Sequence, residues 1–252
     1  NEDITLFSPH EVPELYDAWG SAEFDDLYEK AERKLSVKKT KINAQELFFD
    51  ILKERAETGR IYIMNIDHCN THSSFKDKVT MSNLCQEITL PTTPIQHIDG
   101  EGEIALCILS AINVGKINKR DELEPLCDLA VRALDEIIDH QKYPIDAAEK
   151  STKARRSLGI GYIGLAHYLA KKGYKYDQKL AWRQVDKLTE AFQFYLLTAS
   201  NELAKEKGQC SAFKQTKYAD GILPIDTYKK DVDEVVKREF TYDWEWLRKE
   251  IK

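Results

Sequence analysis

Residues 82–90 read SNLCQEITL and residues 103–112 read EIALCILSAI, and these two stretches decide what kind of fold the chain adopts. In an extended strand side chains alternate between two faces, with residues i and i+2 about 6.5–7 Å apart. The first stretch then puts Asn83, Cys85 and Glu87 on one face and Leu84, Ile88 and Leu90 on the other, with Gln86 as the exception. One face packs, while the other presents an amide, a thiol and a carboxylate. Their outer Cα atoms span about 13–14 Å, enough to bracket one sugar ring once the side chains converge. A half-exposed strand whose outer face is merely polar accounts for the same pattern. The second stretch is apolar on both alternating faces, which suits a strand covered on both sides in a parallel sheet. Cys107 lies inside it and is expected to be buried, where a cysteine is most often just a small hydrophobe.

The β-like signals extend over residues 60–115, beginning with RIYIMNI at 60–66 and broken by polar, Thr/Pro and Asp99-Gly100 stretches. Before them, residues 1–59 are read as a helical block. Ser8-Pro9 reads as an N-cap and first helical position, and Gly59 stops the helix AQELFFDILKERAET. After them, residues 116–252 are mainly helical. Leu123, Leu126, Cys127, Ala130, Ala133, Leu134, Ile137 and Ile138 recur at helical spacing and define one apolar stripe. Val185, Leu188, Phe192, Leu196, Ala199 and Leu203 define a second long helix. It ends in Lys205, Lys207 and Gly208, with cations at the negative end of the dipole and a permissive residue beyond. Asp243 reads as the N-cap of a last short helix. No Gly/Ser linker or repeat divides the 252 residues, so they are taken as one partial domain in three blocks.

Composition narrows the function. Hydrophobic residues make up 42% of the chain, enough for a substantial core. The formal net charge is -6 with both signs mixed, which argues against nonspecific binding to nucleic acid or to an anionic membrane. The longest apolar run, residues 104–112, is too short to cross a bilayer. The opening has no basic and apolar leader regions and no initiator methionine, so no secretory signal is read and the natural chain is expected to begin earlier. Five cysteines at irregular spacing do not form a disulfide framework, and a reducing cytoplasm is the expected setting.

Two apparent motifs are set aside. Gly159, Gly161 and Gly164 match GxGxxG but follow KARRS rather than a strand, so they are read as glycines that let helices pack closely. His68, Cys69 and His72 provide three possible zinc ligands where a structural site needs four, and no second pair follows; no metal is expected. Cys127 belongs to a core stripe, and Cys210 follows a helix end without a role. His97, His140 and His167 are isolated, and no nucleophile-elbow context supports a hydrolytic triad.

Five stretches in order, GRIYIMNIDHCNTHSSF (59–75), SNLCQEITLPT (82–92), GEIALCILSAINVG (102–115), ARRSLGIGYIG (154–164) and GILPIDTYKKD (221–231), together with the opening NEDITLFSP, resemble the large subunit of class I ribonucleotide reductases. The resemblance covers essentially the whole chain. It implies an α/β fold, the helix-rich portion of a ten-stranded α/β barrel, with residues 60–115 containing a central catalytic finger loop. It implies that Cys85 becomes a thiyl radical and abstracts the 3′ hydrogen of a ribonucleoside diphosphate. Glu87 then acts as base on the 3′ hydroxyl, and Asn83 holds the sugar. Cys107 becomes one of two thiols that reduce the 2′ position by closing into a disulfide. The second thiol, the tyrosine relay, the phosphate-binding loop, the C-terminal shuttle cysteines and the ATP/dNTP effector regions are expected outside these residues, and no cofactor is expected to bind this segment. The implied partners are the remaining pieces of the large subunit, a radical-generating, metal-containing small subunit, and thioredoxin or glutaredoxin. The segment alone is expected to be inactive. The alternative is a noncatalytic helical scaffold or interaction protein derived from the same family.

Overall fold

A computed structural model describes residues 3–97, 101–235 and 239–252. The Asp99-Gly100 stretch and the first two residues of the opening motif lie outside them. The chain forms two compact units, one made of residues 1–73 and 78–89, the other of residues 74–77 and 90–252.

In the first unit, β1 (Asp3–Phe7) pairs antiparallel with β2 (Lys39–Asn43). Between them lie α1 (Pro13–Asp17) and α2 (Phe24–Arg33), and after them α3 (Ala44–Thr58) and α4 (Ile66–His72). Val12, Leu15, Ala31 and Val37 form the core, with Phe7, Phe24, Leu27 and Tyr28 packed against it. Tyr28 joins helix to ribbon: its hydroxyl accepts from Thr5 N at 2.6 Å and donates to Thr5 O at 2.9 Å. Asn43 ends β2 and caps α3, its Oδ1 accepting from Gln45 N and Glu46 N at 3.0 and 3.1 Å. Gly59 terminates α3 at φ +65°, a left-handed conformation glycine adopts without strain.

Three expectations are corrected here. Residues 1–59 are not wholly helical, because the β1–β2 ribbon frames α1 and α2. Ser8-Pro9 does not start a helix. Glu11 N and Val12 N donate to Ser8 O, forming a turn, and α1 begins at Pro13. The RIYIMNI stretch forms no strand: residues 60–65 lack regular structure and Ile66 opens α4. Alternation marks a strand only where a neighbour completes its hydrogen bonds.

In the second unit, β3 (Ile108–Asn113) pairs with β4 (Leu158–Ile163) in parallel, as the doubly apolar run suggests. A parallel pair needs a long crossover. Here it is made by α5 (Leu123–His140) and α6 (Asp146–Arg155). There follow α7 (Leu165–Lys171), α8 (Lys179–Lys207), the short α9 (Pro224–Thr227) and α10 (Val232–Val235), and α11 (Trp244–Ile251). One face of the strand pair carries Ile112, Ile160 and Tyr162 into a core with Leu123 and Cys127 of α5 and Ala191 and Phe192 of α8. The stripe on α5 is narrower than its spacing suggests: Leu123, Cys127, Val131, Leu134 and Ile138 are buried, while Leu126, Ala133 and Ile137 face outward.

Glu190 of α8 is a buried carboxylate satisfied by Thr241 N, Tyr242 N and Trp244 Nε1 at 2.7, 3.2 and 3.2 Å. It ties α11 to α8, and Asp243 caps α11 by accepting from Trp246 N at 2.8 Å. Gly159 and Gly161 lie within β4, not between helices as the sequence suggested, and the element before that strand is α6. Among the described residues no helix is long and apolar enough to cross a membrane.

Candidate functional site

Residues 82–90 form a tight turn rather than a strand, and the turn is closed from within. Asn83 Oδ1 accepts from Ile88 N at 3.1 Å, and Gln86 N donates to Asn83 O at 3.1 Å. The single proton of the Ser82 hydroxyl can serve Ile88 O at 2.7 Å or Asn83 Oδ1 at 3.2 Å. Gln86 sits at φ +60°, so the chain reverses direction and the i, i+2 rule fails. Cys85 and Glu87 are exposed on the turn while Asn83 is half-buried. Leu84, expected on a packing face, is 81% exposed. The three chemical groups thus share one turn, but Asn83 spends its carbonyl oxygen on the turn itself and keeps only its amide donors for a ligand. Upstream, the fully buried Val79 is held on both sides by Asn70 of α4, whose Nδ2 donates to Val79 O and whose Oδ1 accepts from Val79 N.

Cys107 belongs to the second unit and immediately precedes β3. It is half-buried, not fully buried as its apolar neighbours suggested. The reason is the alternation of the strand: Ile108, Ser110 and Ile112 turn toward the α5–α8 side, so Cys107 shares the opposite face with Leu109 and Ala111. Within this unit that face is open, with Leu109 57% and Ile163 54% exposed.

The other cysteines differ in kind. Cys127 is fully buried in the α5–α8 core, and burial, with the Glu124 carboxylate adding to it, pushes its thiol up to about 12. Burial also pushes the Cys210 thiol up. Neither is a ready thiolate at neutral pH. On α4, His72 Nδ1 lies 2.9 Å from His68 O, and the two rings meet edge-on with centroids 6.3 Å apart. Among the described residues no group of three or more His, Cys, Asp and Glu side chains is arranged to hold a metal ion.

Ser82 escaped the sequence reading, and Gly159 was read there only as a glycine that lets helices pack. Ser82 clamps the turn, for which its place beside an asparagine was the available signal. Gly159 lies opposite Leu109 beside the Cys107 thiol, and its signal was a glycine inside a strand.

Residues 1–252 match the family model described as ribonucleotide reductase, barrel domain. The chain is 55% identical over 256 residues to ribonucleoside-diphosphate reductase subunit alpha of Haemophilus influenzae, covering 99% of this chain and 34% of that protein. It is 56% identical over 257 residues to ribonucleoside-diphosphate reductase 1 subunit alpha of Escherichia coli, covering 100% and 34%. Identity to ribonucleoside-diphosphate reductase subunit alpha of Chlamydia trachomatis is 35% over 265 residues, covering 98% and 24%. The chain therefore spans about a third of the length of the first two relatives.

Proposed function

Because the chain belongs to the ribonucleotide reductase barrel-domain family, we propose that it is the catalytic segment of a ribonucleoside-diphosphate reductase large subunit, acting with the remainder of that subunit. In this reading the β3–β4 pair contributes two strands to a ten-stranded α/β barrel, and the turn at residues 82–90 is the finger loop within it. The observation that carries the reading is the exposed turn on which an amide, a thiol and a carboxylate stand within five residues, in a chain related to reductase alpha subunits along its whole length.

Cys85, as a thiyl radical, takes the 3′ hydrogen atom of the ribose. Glu87 takes the proton of the 3′ hydroxyl, its exposed carboxylate being the base on the same turn. Asn83 donates its amide protons to the sugar while its oxygen holds the turn closed. The 2′ oxygen leaves as water. Cys107 and a second thiol outside these residues supply two electrons and two protons and close into one S–S bond, a C2′–H bond replacing C2′–O. Glu87 then returns its proton to the 3′ oxygen and Cys85 returns hydrogen to C3′. The radical arrives from a metal-containing small subunit, and thioredoxin or glutaredoxin reopens the disulfide. ATP and dNTP effectors bind outside this segment.

The test is Cys85→Ser in the complete alpha subunit, assayed with its small subunit for deoxyribonucleoside diphosphate formation. Turnover is expected to vanish while the thermal midpoint stays that of the parent, since the side chain is exposed. Retained turnover overturns the radical role of Cys85.

A further inference from the structure

We propose that Gly159 is a positioning residue for the Cys107 thiol: its missing side chain is the space in which the sulfur lies. This rests on the reading of Cys107 as a reducing thiol. The parallel register sets Gly159 against Leu109, two residues beyond Cys107, so the glycine and the cysteine lie on the same open face. A Cβ built on Gly159 stands 2.8 Å from Cys107 Sγ and 2.4 Å from Leu109 Cδ2. Both approaches fall well inside the separation of about 3.5–4.0 Å at which nonbonded carbon atoms rest.

Backbone conformation does not demand this glycine, since Gly159 is not among the residues with positive φ. The demand is steric, and it is local. Gly161, two residues on, lies on the same face opposite Ala111, and a Cβ there meets nothing within 4 Å. The two glycines of one strand therefore make an internal comparison in which only one borders the thiol.

A methyl group at 159 forces two side chains to move. Leu109 is exposed and can swing its far end into solvent. Cys107 has only χ1, so its sulfur must leave for another staggered well. Disulfide closure tolerates little of that, because S–S length and the torsion about it are narrowly set. The affected step is the one in which two thiols lose two electrons and two protons, form S–S, and leave C2′–H and water in place of C2′–OH. Substrate binding does not pass through this contact.

The experiment uses the complete alpha subunit with its small subunit and compares Gly159→Ala, Gly161→Ala, Leu109→Ala/Gly159→Ala and Cys107→Ser. Gly159→Ala is expected to lower kcat about 10- to 100-fold, the scale of a misplaced reacting group, with KM unchanged. Gly161→Ala keeps parental kcat. Adding Leu109→Ala does not restore Gly159→Ala, because the clash with sulfur remains. Parental kcat in Gly159→Ala, or recovery on adding Leu109→Ala, overturns the proposal. Where Gly159→Ala folds poorly, thermal midpoints decide: in a Leu109→Ala background, Cys107→Ala is expected to relieve the cost of Gly159→Ala, and equal cost with and without the sulfur overturns the contact. Parental turnover in Cys107→Ser defeats the underlying reading itself, a result distinct from a silent Gly159→Ala beside an inactive Cys107→Ser.

Discussion

The turn around Cys85 is closed by groups six residues apart at most, Ser82, Asn83 and Ile88, and its crown faces outward. The strand that follows Cys107 is held differently: Leu109 pairs with Gly159 far along the chain, and Ile112 is packed on α5 and α8. In the proposed function, the thiol that loses and regains a hydrogen atom sits on a locally closed, exposed turn. In the same proposal, the thiol that closes onto a second sulfur sits beside a packed parallel pair. Local hydrogen bonds fix a shape without burying it, whereas a packed sheet fixes a position through residues distant in sequence.

The strongest way to break this comparison is to loosen one side and watch the other. Phe192→Ala empties space in the core beneath β3 and β4, and the expected cost is about 3–5 kcal/mol. It is measured by denaturant unfolding of the second-unit helices. Amide exchange at Ile88 is expected to keep its parental rate under native conditions; equal acceleration there would show that the turn borrows its order from the packed core.

A smaller effect sharpens the local side. Asn83→Ala removes the acceptor for Ile88 N and is expected to weaken the turn by about 1–3 kcal/mol, read as faster exchange at Ile88. Asn83→Asp keeps the acceptor and loses the amide donors. Its exchange should remain slow while turnover of the complete subunit falls, which separates closing the turn from holding the sugar. Slow exchange with full turnover would leave Asn83 a purely structural residue.

The smallest expected effect concerns a thiol that only packs. The folded pKa of Cys127 is raised above its ordinary value of 9.0 to about 12, first by burial and then by Glu124. Its neutral thiol therefore contributes stability in full below pH 9.0, and that contribution is lost as pH rises toward about 12. With iodoacetamide at pH 8, under native conditions, mass spectrometry should find Cys85 modified early and Cys127 only after denaturation. Early modification of Cys127 would contradict its place in the α5–α8 core.

Much of the helical framework was legible because its signals are local. Gly59 and Gly208 end α3 and α8, and Asp243 caps α11, as single residues and their neighbours announced. The parallel character of β3 was legible too, since a strand apolar on both faces is rare elsewhere. Residues 82–90 were misread in shape because alternation is common to a strand and to this turn. The hydrogen bonds of Ser82 and Asn83 and the positive φ of Gln86 distinguish the two. RIYIMNI was misread for a related reason, having strand composition without a paired neighbour.

By itself the sequence determined which chemical groups are present and in what order: the amide, thiol and carboxylate at 83, 85 and 87, the further thiol at 107, and the helices α3, α5, α8 and α11. Those properties depend on side-chain type and on interactions a few residues long. Tertiary structure alone decided that Cys107 is half open, and that Gly159 rather than Gly161 borders the sulfur. Burial and register are set by partners distant in the chain, and a one-residue slip of β4 against β3 would exchange the face toward the helices for the one beside Cys107.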